Sequence, residues 1–469
     1  MLIGKNTSIK IFFILNLFFV LTSISTNWMV FQLSFSMKVI LSFLLIIISF
    51  KFSYILFYFL LYCYFFRYSL NGSFLGIELD GFTNYIGMVN MSDIVLMALV
   101  GSVIIQGKYK RIKININSPI IYCLLFFLFT QLVGVVFSSD ILISYSRLSR
   151  LFFFIIFSLV TIVYEKEIKL YNIMRFMTGL GIMSGILFIY NLLIIDNEYY
   201  QDDGNIIYLL PFVYNSIFYT KNKFYGILAF IHGLFTFLAI SFLDIRRFIL
   251  SNIIFINNVI YRFIKIKRFY FISIFVSFIF LLSISEFLED SSELRIFQTI
   301  NSLRGMVSFG MGDTAQEDIY NLFTRRDIMF AIGIEAFLSS PIIGVGTGMS
   351  EYETGKLIFG DHNQQTFRLH NLYLELMADT GIIGLIAYLI VLLIIIKTLY
   401  KFIKSNNAYK ENLVMSYILL DIFIMTSIIN FFGARGPYDK YEWFFYTLVY
   451  IISTDYLKIG KNFKKVYNK

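Results

Sequence analysis

The chain holds three histidines, His232, His362 and His370, and only the last opens a stretch that turns from a polar loop into an apolar helix pattern, RLHNLYLELMADTGIIGLIAYLIVLL, residues 368–393. Imidazole, with a reference pKa of about 6.5, is suited to deprotonating or orienting a hydroxyl near neutral pH. His370 and Asn371 precede Leu372, where the apolar periodicity begins. Both therefore stand at a helix N-terminal end, where unpaired backbone N–H groups attract anions. A loop histidine is more often solvated or capping than catalytic, so His370 alone does not establish chemistry. His362 lies eight residues away with no cysteine beside it, so zinc-ligand spacing is absent and no metal site is expected.

Arginine is the second chemical signal, and its meaning depends on the elements that carry it. The composition is 58% hydrophobic, 19% aromatic and only 15% charged over 469 residues, which no soluble domain matches. Hydrophobic runs of span length recur from residue 9 to residue 457. The first, residues 9–25 behind Lys5 and Lys10, lacks a convincing small-x-small cleavage site and is expected to be a retained span. Spans are predicted at 9–25, 28–50, 52–66, 91–106, 118–137, 147–164, 173–195, 206–219, 224–243, 248–263, 269–285, 376–396, 413–432 and 442–457. The expected fold is an all-α polytopic membrane protein of about 12–14 transmembrane helices with one large extracytoplasmic loop. It divides into an N-terminal bundle over 1–285, a loop with a short membrane-skimming helix over 286–375, and C-terminal helices with a basic tail over 376–469.

The basic segments GKYKRIKININ, EKEIK, TKNK, KIKR, KTLYKFIKSNNAYK and the C-terminal tail all fall on one side of this trace, so the positive-inside rule places both termini in the cytoplasm. Lysine obeys that rule apart from Lys356 and Lys440 outside and Lys38 mid-span, and arginine does not. Arg67, Arg147, Arg150, Arg246, Arg247, Arg295, Arg304, Arg325, Arg326, Arg368 and Arg435 fall outside. A planar guanidinium grips phosphate oxygens in pairs, with charge-assisted bonds worth about 1.5–3 kcal/mol each, whereas an ammonium is a compact hydrated point charge. The outward arginines point to an anionic ligand at the outer face. The plainer alternative is pairing with the loop acids Asp290, Glu293, Asp313, Glu317, Asp318 and Asp327, or with lipid headgroups.

Three placements are more specific. Arg246 and Arg247 end a span in SFLDIRRFIL, and Arg147 and Arg150 stand three apart, on one helix face, at the start of another. Arg325 and Arg326 head the apolar segment 328–338, which stops at Pro341 and is too short to cross a bilayer. Lying along the membrane or dipping partly into it, the segment would hold its arginines at headgroup depth. Gly381 and Gly384, three apart, would let another helix backbone approach closely.

The run HNLYLELMADTGIIGL, preceded by RRDIMFAIGIEAFLSSPIIGVGTG, resembles the O-antigen ligase and O-antigen polymerase superfamily. His370, Asn371, Tyr373, Leu374, Gly381 and Gly384 match one hallmark, and Pro341, Gly344, Gly346 and Gly348 match a Pro-x-x-Gly-x-Gly-x-Gly element. The resemblance is specific over about 324–393 and architectural elsewhere. It implies a GT-C-like glycosyltransferase, independent of metal and cofactor, using an undecaprenyl-pyrophosphate-linked glycan as donor. The glycan would pass to another lipid-linked repeat unit in a polymerase, or to lipid A core in a ligase. The resemblance further implies His370, Arg246 or Arg247, and Arg325 or Arg326 as catalytic residues. Arg147, Arg150, Arg368, Asn371, Tyr373, Gly344, Gly346 and Gly348 become the expected substrate contacts. The implied place is the bacterial cytoplasmic membrane with an extracytoplasmic active site, beside a flippase and a chain-length regulator of the same pathway.

The motifs leave polymerase and ligase open, and the polymerase is the preferred reading because the loop is moderate in size, Tyr-poor and without a mark of lipid A contact. A flippase or other transporter of lipid-linked units would show internal repeats and several mid-span ionisable residues; no repeat is found, and Asp93 and Asp421 are the intramembrane acids noted. Cys63 and Cys123 both fall in spans, so no disulfide framework is expected. The net charge of +9 reflects lysines facing anionic lipid, not nucleic acid.

Overall fold

The computed structural model describes residues 52–62, 64–65, 91–111, 114–194, 204–220, 222–242, 258, 262, 326–352, 369, 371–404, 410–432 and 439–467. Every regular element among them is helical: α1 (Met91–Ile105), α2 (Pro119–Val136), α3 (Ile141–Ile168), α4 (Leu170–Ile194), α5 (Gly204–Tyr219), α6 (Lys223–Phe242), α7 (Arg326–Ser339), α8 (Leu372–Lys404), α9 (Lys410–Phe432) and α10 (Lys440–Tyr467). A 3-10 turn at Lys108–Arg111, a short apolar helix at Phe52–Tyr62 and a helical turn beginning at Met349 accompany them. By length and composition, α2, α3, α8 and Glu411–Asn430 of α9 are each able to cross a membrane. The chain is an all-α polytopic membrane protein.

The expected spans 91–106, 118–137, 147–164, 173–195, 206–219, 224–243, 376–396, 413–432 and 442–457 fall on α1–α6 and α8–α10, and the expected short helix 328–338 is α7. The expected spans 9–25, 28–50 and 269–285 lie outside the described residues, as does 248–263 apart from Asn258 and Arg262. One boundary differs in a useful way. The Asp140 carboxylate accepts hydrogen bonds from the N–H groups of Leu142 (3.0 Å) and Ile143 (3.2 Å), so α3 starts at Ile141. Arg147 consequently stands in the second turn rather than at the helix start.

Helix α8 packs against α2, α7, α9 and α10, while α3 packs against α10 and α2, and α5 against α4, α6 and α9. Helices before and after the 286–375 segment thus interleave in one bundle. Lipid tails are as apolar as leucine, so such a bundle is held by close packing and polar contacts between helices. Its interior is aromatic: Phe65 packs on Tyr441, Phe444 and Phe445, and Tyr208 stacks on Tyr441 with centroids 4.9 Å apart. The outward face of α2 is apolar and exposed at Leu125, Phe129, Leu132 and Val136, the i, i+4, i+7, i+11 series of a helix stripe turned to lipid.

The bundle has two chemically different ends. At one, Lys108 pairs with Glu167 at 2.9 Å, and Tyr171 meets Tyr219, with Lys166, Lys169 and Lys223 flanking the same turns. At the other, the C-terminal ends of α2 and α9 meet the N-terminal ends of α3, α8 and α10. There the Tyr373 hydroxyl donates to the Ser427 carbonyl at 2.9 Å. Between the ends, Arg262 grips the buried Asp421 with two hydrogen bonds of 2.7 and 2.5 Å, and also donates to the Asn215 amide oxygen at 2.8 Å. An ionised residue inside an apolar bundle is tolerable only when paired in this way.

Candidate functional site

The end opposite the Lys108–Glu167 pair is built around an interrupted helix. Inside α8, Gly381 adopts φ 66° and ψ −168°, a backbone region essentially restricted to glycine. The interruption frees carbonyls on its N-terminal side and amides beyond it, and the glycine-rich segment after Pro341 takes them. The N–H of Val345 donates to the Ala378 carbonyl (2.8 Å), that of Gly346 to the Asp379 carbonyl (2.9 Å), and that of Ile382 to the Pro341 carbonyl (2.9 Å). A β-carbon on Gly344 would run into the Asp379–Thr380 peptide, and one on Gly381 into the Ile342 carbonyl. The close approach expected at Gly381 is therefore made by this loop and not by another helix. The reason is the open backbone at the break, which an intact helix could not offer.

A carboxylate locks the loop in place. The side chain of Asp379, fully buried, accepts from the N–H groups of Gly348 (2.8 Å) and Ser350 (2.9 Å), where the chain turns helical again at Met349. Thr347 donates to the Gln131 carbonyl on α2 at 2.9 Å. Gly134 makes room for this contact, since a β-carbon there would come within 2.6 Å of the Thr347 hydroxyl. Loop, α2 and α8 thus form one joint.

Arg147 crosses the joint from α3. Its guanidinium donates to the Glu351 carboxylate and, at 3.2 Å, to that of Glu375 in the first turn of α8. The three side chains are largely withdrawn from solvent, at 12%, 6% and 1% exposure. The aliphatic stem of Arg147 rests against Gly348, where a β-carbon would stand 3.3 Å from its Cβ and Cγ. Asn371 caps α8: its side-chain oxygen accepts from the N–H of Leu374 at 3.0 Å, and its carbonyl from that of Glu375 at 2.9 Å. Further in, Glu442 is buried and accepts from Asn430 Nδ2 (3.1 Å), Tyr388 (3.4 Å) and Tyr446. Tyr388 in turn lies 6.3 Å, ring to ring, from Tyr373.

Of the residues expected at the site, Arg147, Gly344, Gly346, Gly348, Asn371 and Tyr373 are brought to this one end of the bundle, and Arg150 lies one turn beyond Arg147 on α3. His370, Arg325, Arg246, Arg247 and Arg368 lie outside the described residues. Arg326 is the first residue of α7, its side chain undescribed, and α7 packs against α8. Glu351, Glu375, Asp379 and Glu442 were not singled out by sequence reasoning. The available signal was a carboxylate at Glu375, Asp379 and Glu442 inside or at the mouth of otherwise apolar helices. Among the described residues no group of three or more His, Cys, Asp or Glu side chains converges as a metal site.

The helices of span length, interleaved around a glycine-lined joint at one end, define a polytopic membrane protein with a built terminal site. Residues 206–389, from α5 through the loop to the middle of α8, match the family model described as O-antigen ligase, which supports placing the chain in the O-antigen ligase and polymerase superfamily. That family is one of glycosyltransferase-like enzymes acting in O-antigen and polysaccharide biosynthesis. No curated protein matches the chain.

Proposed function

We propose that the protein polymerises polyprenyl-pyrophosphate-linked oligosaccharide repeat units at the outer face of the bacterial cytoplasmic membrane. The observation that carries this reading is the joint in which the glycine-rich loop and the capped N-terminus of α8, both within the family match, meet Arg147 of α3. The segregation of lysine from arginine supports an outward-facing site.

In this reading the acceptor hydroxyl attacks the anomeric carbon of the donor glycan. The bond from that carbon to the diphosphate oxygen breaks, and the hydroxyl proton passes to His370. Arg325 or Arg326, with Arg246 or Arg247, offsets the charge gathering on the departing polyprenyl diphosphate, the part that positioned donors play for a developing anion. Arg150 and Arg368 line the approach, and α7 rests at headgroup depth. The N-terminal helices, the 286–375 segment and the C-terminal helices act as scaffold, cover and floor of the one site. The lipid-linked glycan is the substrate, and a flippase supplies it.

Deletion of the gene followed by electrophoresis of the cell's glycans tests the reading. A single repeat unit on the anchor is the expected result. Free lipid-linked polymer with bare core identifies a ligase instead, and an unchanged glycan pattern overturns both.

A further inference from the structure

We infer that Arg147 is the positioning cation of the site, held by Glu351 and Glu375, and not a ligand of the substrate's diphosphate. The inference rests on the transferase reading above and assigns residues within it. The guanidinium is engaged by two carboxylates, both withdrawn from solvent. A diphosphate brought to that guanidinium would meet two carboxylates at the same place, and like charges at short range in a poorly solvated site repel strongly.

The partners of Arg147 belong to the two segments that make the site. Glu351 follows the glycine-rich loop directly, and Glu375 stands four residues after Asn371 in the first turn of α8, its N–H donating to the Asn371 carbonyl at 2.9 Å. Gly348 lets the arginine stem lie flat on the loop. Asp379 fixes the same loop by two backbone amides. A side chain that ties α3 to both segments fixes where Leu369 and residues 371–373 sit relative to the loop. The segment preceding Leu372 is where a reacting group must be placed to within fractions of an ångström, and small misplacements cost large factors in rate.

Two kinds of measurement separate this role from phosphate binding. The first is steady-state kinetics of the full-length protein in lipid nanodiscs with a polyprenyl-diphosphate-linked oligosaccharide. Glu375→Gln and Glu351→Gln are nearly isosteric and are expected to lower kcat at least tenfold while the donor KM stays within about twofold. Arg147→Lys is expected to keep part of kcat, since the charge remains and one carboxylate can still be reached. If Arg147 bound the diphosphate, releasing it with Glu375→Gln would lower the donor KM, and Arg147→Lys would raise it; that pattern overturns the inference. The second is hydrogen exchange without substrate. Glu375→Gln is expected to speed exchange of the amides of Leu372, Leu374 and Gly346, and unchanged exchange overturns the inference even if no substrate is turned over. A wild-type protein that transfers nothing overturns the transferase reading alone, while an active wild type with Glu375→Gln at full kcat overturns this inference alone.

Discussion

The N–H of Ile382 donates to the carbonyl of Pro341 at 2.9 Å, and this bond splices the break in α8 to the start of the glycine-rich loop. The two sequence elements that resemble the O-antigen ligase and polymerase superfamily, one on each side of residues 353–368, are therefore a single structural object. The left-handed glycines of the loop exist to let its amides reach the carbonyls that Gly381 leaves open.

Gly381→Ala tests that joint. Its φ and ψ are costly for any residue with a β-carbon, by about 1–3 kcal/mol, and the added methyl also meets the Ile342 carbonyl. The variant is expected to lower the thermal unfolding midpoint in detergent by several degrees and to reduce activity. Gly101→Ala, at a helix position with open space around it, is the matched control and is expected to change neither.

Asp379→Ala leaves the buried amides of Gly348 and Ser350 without their acceptor, at about 1–3 kcal/mol for each unsatisfied group. Asp379→Asn keeps one oxygen and is expected to recover about half of the loss. Thermal unfolding of the two variants side by side gives the ratio.

How much of this was legible beforehand follows from what each signal depends on. Hydropathy finds α2 and α9 to within a few residues, because a span is specified by composition over its whole length. It finds α7 as well, since Pro341 ends the apolar run. The Asp140 cap moves the start of α3 forward by six residues relative to the apolar run, so Arg147 enters a helix interior where its partners are fixed. The interruption at Gly381 leaves no trace in a periodicity that continues through it. The carboxylates of Glu351, Glu375 and Asp379 come from segments 24–28 residues apart, and only the folded joint shows that they converge.

The pair Arg262 and Asp421 predicts a stability effect away from the site. Asp421→Ala leaves a guanidinium in the bundle without its counter-charge and is expected to destabilise by about 3–5 kcal/mol. The double variant Asp421→Leu with Arg262→Met is expected to be closer to wild type than the single one. Unfolding in a graded denaturing detergent, read by tryptophan fluorescence, checks the order of the three proteins.

The arginine and histidine assignments predict a pattern of activity. His370→Ala is expected to lower polymer formation by at least about a hundredfold. Lysine at the essential member of the Arg246 and Arg247 pair, and of the Arg325 and Arg326 pair, is expected to fail as well, because a point charge cannot replace the paired donors of a guanidinium. Complementation of the deletion strain, with membrane abundance checked by immunoblot, gives the comparison.

The central claim is that this protein moves a glycan from a lipid diphosphate to a sugar hydroxyl. Purified protein in nanodiscs, supplied only with polyprenyl-diphosphate-linked repeat units and followed by mass spectrometry, measures it directly. The account predicts a ladder of lengthening glycans, with one free polyprenyl diphosphate released for each bond formed. Donor that remains intact beside active control enzyme would contradict it.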